Sequence, residues 1–367
     1  MEETWSRGWS AVLWAAQFPM EKDLKKHLVW ILTFIFLVGC GPLFPSTPIE
    51  PITESAVVAT SMTTISLVSS PTMPLNEKTD CKKIAFVMFD NSQLQNSDIY
   101  IICPDGTNLR RLTNDSVLKA SPTWSPDGTR IAFSASRTGA NQIFTMNADG
   151  GNITQITFDY TNSSPIWLPD GGQIAFLTSD YKGLWWWRVI RLEGNELTQL
   201  SIPSYDFFYQ TPAWSPDGTH IAYMSMTEQK ARNDGSSQIH VKNTNGTNDE
   251  ALTHDIWRNI NPIWSPDGTK IAFLSEHLDT YNGFALYVMG SDGFDVERLT
   301  ETMFPISGSN YSWLISTTYS WSPDNQNIAI GDGNLENIYL IDLADNRMKD
   351  LPGLPAGSMT AFPSWQP

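Results

Sequence analysis

The chain has 367 residues, of which 41% are hydrophobic and only 17% are charged. Asp and Glu number 39 against 23 Lys and Arg, and the net charge of -16 argues against binding to the phosphate backbone of a nucleic acid. Three cysteines are too few for a disulfide scaffold or a cysteine-rich zinc protein. The 15 Trp, 24 Gly and 23 Pro favour an all-β protein with many turns.

The first 40 residues have the features of an export signal. Three lysines between positions 22 and 26 precede an apolar run over 28–38, which is short for a membrane span but fits the hydrophobic region of a secretory signal. The run ends in Leu-Val-Gly-Cys at 37–40, which resembles the bacterial lipobox, whose cysteine is lipidated. We therefore predict a lipoprotein signal peptide over 1–40, with Met20 as the true start and Cys40 as the lipidated residue. An uncleaved signal anchor, with Cys40 a bystander, is the alternative.

Residues 41–80 are rich in Ser, Thr and Pro and keep neither a helical nor a strand period. Such a segment cannot bury enough apolar surface to offset the entropy of ordering it. We predict that it is a disordered tether, which holds a folded domain of residues 81–367 away from the membrane surface.

One pattern recurs along the rest of the chain. Trp-Ser-Pro-Asp-Gly is followed, after two variable residues, by Ile-Ala-Phe, and the copies with their close variants begin roughly 50 residues apart. They start at Trp124, Trp167, Trp214, Trp264 and Trp321. Pro presets φ, Asp accepts hydrogen bonds from nearby N–H groups and Gly allows positive φ, so the pattern predicts a tight hairpin turn. The strand that follows is apolar at successive positions, which predicts that both of its faces are covered.

The two ends of the domain each carry half of this unit. Ile-Ala-Phe at 84–86 has no Trp strand before it, and the Trp strand at Trp365 has no Ile-Ala-Phe after it. Pairing the two halves gives six complete units and leaves no free sheet edge. The sequence therefore predicts a single six-bladed β-propeller of four-stranded antiparallel blades, closed by the C-terminal strand joining the first blade.

The repeat, with its trailing Leu-Thr, resembles the WD40-like (PD40) repeat of TolB-type propellers over about residues 82–367. Related blades occur in prolyl-oligopeptidase-type peptidases and tricorn-like proteases. Leu168, Asn325 and Ile330 are local departures from the pattern, and the chain contains no Gly-x-Ser-x-Gly motif. The resemblance implies the propeller fold and, as in TolB-like propellers, non-covalent binding of an envelope protein.

The loops that lead into the Trp strands carry the candidate binding residues. These residues are aromatic except for one arginine: Tyr160, Tyr205, Phe208, Trp257, Arg258, Tyr311 and Trp313. In a propeller these loops share a face with the loops after the Ile-Ala-Phe strands, which include Tyr181 and Trp185. Such a surface suits a protein or glycan partner. The alternative is that these side chains plug the central channel and pack between the loops.

The polar motifs give weaker signals. Each repeated Asp stands alone in its own turn, so turn chemistry is favoured over metal binding. His254 and His277 could form a metal or acid–base pair, which leaves a glycan- or peptide-acting enzyme, or a carbohydrate-binding module, as the alternative function. Cys81 and Cys103 flank the first-blade hairpin, and an exported compartment would favour a bridge between them.

Together these features predict a non-catalytic, exported monomer that binds a protein partner. It would face the periplasm or the cell exterior and contact the membrane through its lipid anchor only. We expect no catalytic residue, metal, cofactor or nucleic acid.

Overall fold

The computed structural model describes most of the domain predicted over 81–367. The described residues are 81–89, 96–137, 139–182, 184–194, 196–200, 211–226, 236–276, 283–300, 304–305, 319–331 and 337–367. The proposed signal peptide, tether and Cys40 lie outside them. Within the described residues, no helix has the length and apolar character needed to cross a membrane.

The described strands form six antiparallel sheets, which we call blades 1 to 6 in chain order. Blade 1 contains β1 (Ile84–Phe89), β2 (Ser97–Ile102), β3 (Arg110–Arg111) and, from the other end of the chain, β25 (Met359–Trp365). Blade 2 contains β4 (Lys119–Trp124), β5 (Arg130–Ala135), β6 (Gln142–Asn147) and β7 (Thr154–Gln155). Blade 3 contains β8 (Thr161–Trp167), β9 (Gln173–Ser179), β10 (Trp185–Arg191) and β11 (Leu197–Gln199).

The second half of the ring repeats this plan. Blade 4 contains β12 (Ala213–Trp214), β13 (His220–Met226), β14 (Ser237–Asn243) and β15 (Glu250–Ala251). Blade 5 contains β16 (Asn259–Trp264), β17 (Lys270–Ser275), β18 (Gly283–Gly290) and β19 (Glu297–Arg298), with β20 (Phe304–Pro305) paired to β18. Blade 6 contains β21 (Tyr319–Trp321), β22 (Asn327–Gly331), β23 (Ile338–Asp342) and β24 (Arg347–Asp350). The predicted six-bladed β-propeller, closed by β25 against β1, is confirmed.

The Ile-Ala-Phe strands form the core of each blade because their neighbours cover both faces. In β5, Ile131, Ala132 and Phe133 are fully buried. Phe133 packs with Trp124 in one apolar cluster, whereas Ala132 packs with Trp167 of the next blade in another. Successive apolar residues thus serve two different inter-blade interfaces.

The Ser-Pro-Asp-Gly segments form the expected tight turns. Asp127 Oδ1 accepts hydrogen bonds from the Ser125 hydroxyl at 2.5 Å and from the Thr129 N–H at 3.0 Å, while Gly128 has a φ of +68°. These donors hold the pKa of Asp127 at about 2. The same contacts recur around Asp217 and Asp267, so the repeated aspartates stabilise turns.

The trailing Leu-Thr of the repeat lies just beyond the outer strand. In blade 1, β3 ends at Arg111, and the Leu112 N–H still donates to the Ile99 carbonyl at 2.8 Å. The Thr113 hydroxyl then accepts from the Ile99 N–H at 3.0 Å. At the end of the outer strand, the Thr113 side-chain oxygen therefore takes the place of a main-chain carbonyl as the acceptor for the Ile99 N–H.

Candidate functional site

The propeller has two distinct faces, because antiparallel strands place alternate connections at opposite ends of a blade. The turn face carries the Ser-Pro-Asp-Gly turns, such as 125–128, and the turns before the outer strands, such as 147–150. The loop face carries the connections between blades, such as 156–160, and the loops after the Ile-Ala-Phe strands, such as 180–184. The predicted binding residues that the structure describes, Tyr160, Trp257 and Arg258, belong to the loop face.

Large exposed apolar side chains are concentrated on the loop face at blade 3. Phe158 is 76% exposed and Tyr160 is 49% exposed in the connection into the blade, and Tyr181 is 89% exposed in the loop after β9. Leu184 in the same loop is 56% exposed. The Tyr160 ring meets Trp186 edge-on, with centroids 5.5 Å apart, which joins the connection to the start of β10. We call Phe158, Tyr160, Tyr181, Leu184 and Trp186 the aromatic patch.

The main chain beneath the patch is held by polar contacts. Tyr160 has a φ of +53°, and its carbonyl accepts from Gln142 Nε2 at 2.8 Å. The buried Arg188 binds both Asp159 carboxylate oxygens at 3.0 and 3.1 Å. Its guanidinium also lies 5.8 Å from the Tyr160 ring centroid. The sequence alone does not identify Arg188. Its Trp-Trp-Trp-Arg context predicts a strand but does not indicate that the arginine binds Asp159 in the connection before blade 3.

The predicted residues Trp257 and Arg258 lie on the same face but are only partly exposed. The Trp257 N–H donates to Asp255 Oδ1 at 3.0 Å, and its carbonyl accepts from the Ser237 N–H at 3.2 Å. Ile256 is the strongly exposed apolar member of this loop, at 70%. Four other predicted residues lie outside the described residues: Tyr205, Phe208, Tyr311 and Trp313.

Buried polar bridges fix neighbouring blades to one another beneath the loop face. Between blades 2 and 3, Asn162 Nδ2 donates to Gln142 Oε1 at 3.0 Å, and between blades 4 and 5 Asn259 Nδ2 lies 3.4 Å from Gln238 Oε1. Between blades 1 and 2 the bridge is ionic, with Lys119 Nζ 3.1 Å from Asp98 Oδ1.

The ionic bridge extends to Asp115, which forms ion pairs with Lys119 and with Arg137. Burial acts to raise the pKa of Asp115, but the hydrogen bond from Lys119 and the charges of both cations lower it below its ordinary value. Asp115 therefore stays ionised in the folded protein at neutral pH.

Two further candidate residue pairs come from the sequence, one of cysteines and one of histidines. Cys81 and Cys103 form a disulfide across the start of β1 and the end of β2, with Cα atoms 5.8 Å apart. His254 is exposed in the connection between blades 4 and 5, and His277 lies outside the described residues. Among the described residues, no three His, Cys, Asp or Glu side chains are grouped to hold a metal ion.

The blades and their repeated turns define a WD40-like six-bladed β-propeller. Residues 76–232 match the family model described as the TolB beta propeller domain, PD40. Over this stretch, which is less than half of the chain, the sequence is similar to TolB-type propellers.

Similarity to individual proteins is local in sequence and broader in structure. A stretch of 54 residues is 43% identical to the TolB homolog of Chlorobium luteolum, covering 15% of this chain and 12% of that protein. A stretch of 56 residues is 39% identical to the Tol-Pal system protein TolB of Bordetella pertussis, covering 15% and 13%. The matched segments thus span about an eighth of these curated relatives.

Among solved structures, TolB from Acinetobacter baumannii superimposes with a TM-score of 0.63 at 22% identity, covering 78% of this chain and 67% of that chain. Kuenenia stuttgartiensis hydrazine synthase gives a TM-score of 0.59 at 17% identity, covering 78% and 46%. At these identities the two structures support the fold alone.

Proposed function

We propose that the protein is an exported, non-catalytic lipoprotein of the cell envelope, whose propeller binds a protein partner through the aromatic patch. The observation that carries this proposal is the exposure of Phe158 and Tyr181, at 76% and 89%, on one face of one blade. Apolar side chains grouped in this way mark interaction surfaces, and aromatic residues supply much of the energy at protein interfaces.

The setting of the patch suits binding. Gln142 and Arg188 hold the connection that presents Tyr160, so little main-chain ordering remains to oppose association. Trp186 supports the Tyr160 ring from the start of β10. A partner that covers the patch would gain buried aromatic area at a low entropic cost.

The relatives support the envelope setting of this proposal. Proteins from Bordetella species that match a segment of the chain are named Tol-Pal system protein TolB. The apolar run before Cys40 supports export and anchoring. We expect the mature protein to begin at Cys40 and to be acylated there.

Affinity capture from detergent-solubilised envelopes tests the binding site. The full chain is compared with the double variant Phe158→Ser, Tyr181→Ser and with the control Met348→Ser, whose exposed methionine (38%) lies on the outer strand β24. We expect the wild type and the control to recover the same envelope protein, and the double variant to recover at least about tenfold less. Equal recovery by all three chains would refute the site.

Mass analysis of the N-terminal peptide tests the anchor separately. We expect an acylated Cys40 and loss of membrane attachment in Cys40→Ser. An unmodified Cys40 that is still joined to residues 20–39 would refute the lipoprotein proposal.

A further inference from the structure

A groove of about 720 Å³ opens on the turn face between blades 4 and 5. Its apolar lining includes Trp264 and the exposed Phe294. Four carboxylates also line it, those of Asp217, Glu250, Asp267 and Asp292. The groove therefore combines an aromatic surface with negative charge.

In the interface between blades 2 and 3, which we call a joint, the position equivalent to the groove is occupied by an arginine of the chain itself, Arg130. The Arg130 guanidinium lies 4.6 Å from the centroid of the Trp167 ring and donates to the Gly171 carbonyl at 3.0 Å. Trp167 is buried, at 6% exposure. This joint shows what chemistry the repeat accommodates on its tryptophan: a guanidinium stacked on the indole.

In the joint between blades 4 and 5, His220 holds the repeat position of Arg130, and Trp264 holds that of Trp167. The imidazole is shorter than an arginine side chain, and its ring centroid stays 6.4 Å from that of Trp264. His220 Nδ1 lies 2.6 Å from the Thr219 hydroxyl, which keeps the ring beside its own turn. Trp264 remains partly exposed and lines the groove.

The charge of the groove differs from that of the filled joint as well. Glu250 pairs with Val241 in the same register in which Thr154 pairs with Thr145, so a carboxylate replaces a hydroxyl on the outer strand. The Ser215 hydroxyl and the Thr219 N–H hold the pKa of Asp217 at about 2, so this carboxylate is ionised at neutral pH. The residues that line this groove include four carboxylates and neither a lysine nor an arginine.

We propose that the groove binds an arginine side chain of a partner protein, with the guanidinium stacked on Trp264 as Arg130 stacks on Trp167. Glu250 and Asp292 would pair with the guanidinium, and Phe294 would contact the apolar part of the same partner segment. The site lies on the face opposite the aromatic patch and is independent of it.

Titration of the full chain with the peptide acetyl-Gly-Arg-Gly-amide tests this site, with the neutral citrulline peptide as control. The readouts are calorimetry and the NMR signal of the Trp264 indole N–H. We expect binding of the arginine peptide that weakens with added salt, and no binding of the citrulline peptide. The variant His220→Arg supplies the guanidinium from within, so it should bind the peptide at least about tenfold more weakly while unfolding at the same or a higher temperature.

The variants Glu250→Gln and Asp292→Asn should each weaken binding of the arginine peptide several-fold without changing the fold. If His220→Arg does not fold, these two variants test whether the groove is the binding site. The double variant Phe158→Ser, Tyr181→Ser should leave peptide binding unchanged, which separates this site from the aromatic patch. Equal binding of the citrulline peptide, equal binding of a lysine peptide, unchanged affinity in the groove variants, or no arginine binding at millimolar peptide would each overturn the proposal.

Discussion

Ile84 and Trp365 are cross-strand partners although they come from opposite ends of the folded domain. The Trp365 N–H also donates to the Ser320 hydroxyl at 2.9 Å, so the last strand contacts blade 6 as well as blade 1. Trp365 is 8% exposed and packs in one cluster with Ile84 and Phe86. The ring therefore closes through one short C-terminal strand.

Replacing Trp365 with alanine should lower the free energy of unfolding by about 3–5 kcal/mol, because a buried indole is lost at the closure. Urea unfolding measures the effect. Met348→Ala, on the outer strand β24, is the control and should change stability by no more than about 0.5 kcal/mol. Equal midpoints for the two variants would show that closure does not depend on this contact.

Most of the fold could be predicted because each blade is specified by local chemistry repeated along the chain. The turn at Asp127 needs only residues 125–130, and the same contacts follow wherever that sequence recurs. Closure could be predicted because the two half-units complement each other. The ends of the outer strands in blades 1, 2, 4 and 5 could not be predicted. There a threonine hydroxyl, in place of a main-chain carbonyl, accepts from an N–H of the neighbouring strand.

Thr157→Val tests that role of the hydroxyl. Thr157 Oγ1 accepts from the Ile143 N–H at 2.9 Å and donates to Gln142 Oε1 at 2.7 Å, and the residue is buried. Loss of the hydroxyl leaves buried groups unpaired and should lower the free energy of unfolding by about 1–3 kcal/mol. Thr154→Val, at an exposed position of β7, is the matched control in the same denaturation experiment. A cost in the control as large as that in Thr157→Val would contradict the assignment.

The candidate site could be predicted less completely than the fold. Composition identifies the aromatic loops, and it places Tyr160 among them, but exposure is decided by contacts between loops. Trp257 is held by Asp255 and Ser237, whereas Phe158 is left open to solvent. The groove at Trp264 could not be predicted from the motif alone. It is open because the His220 side chain is too short to cover Trp264 as Arg130 covers Trp167.

Lys119 should be the most sensitive charged residue of the blade 1–blade 2 joint. Its side chain is fully buried, and its ammonium donates to the Ser97 carbonyl at 3.0 Å as well as to Asp98. Lys119→Met leaves the buried Asp98 carboxylate without this partner and should cost about 3–5 kcal/mol in unfolding experiments. Lys182→Met removes an exposed lysine and should have little effect. A small cost for Lys119→Met would mean that Arg111 alone can satisfy Asp98.

The disulfide between Cys81 and Cys103 should stabilise blade 1 at the point where the folded domain begins. Replacing both cysteines with serine should lower the free energy of unfolding by about 2–4 kcal/mol, chiefly by releasing a constraint on the unfolded chain. Peptide mapping without reductant checks the bond, and thermal unfolding with and without reductant checks its effect. Reductant should destabilise the wild type only. An equal response in the double serine variant would contradict the prediction.

The turn aspartates should make stability fall in acid. The Ser125 hydroxyl and the Thr129 N–H lower the pKa of Asp127 from its ordinary 3.8 to about 2. Between these two values the unfolded chain binds more protons than the folded one, so stability is retained above pH 4 and is lost as the pH falls toward 2. Asp127→Asn keeps an acceptor in the turn but cannot titrate. It should be less stable than the wild type at neutral pH, and the difference in melting temperature should shrink steadily below pH 4. A difference that stays constant down to pH 2 would show that the carboxylate charge contributes nothing to the turn.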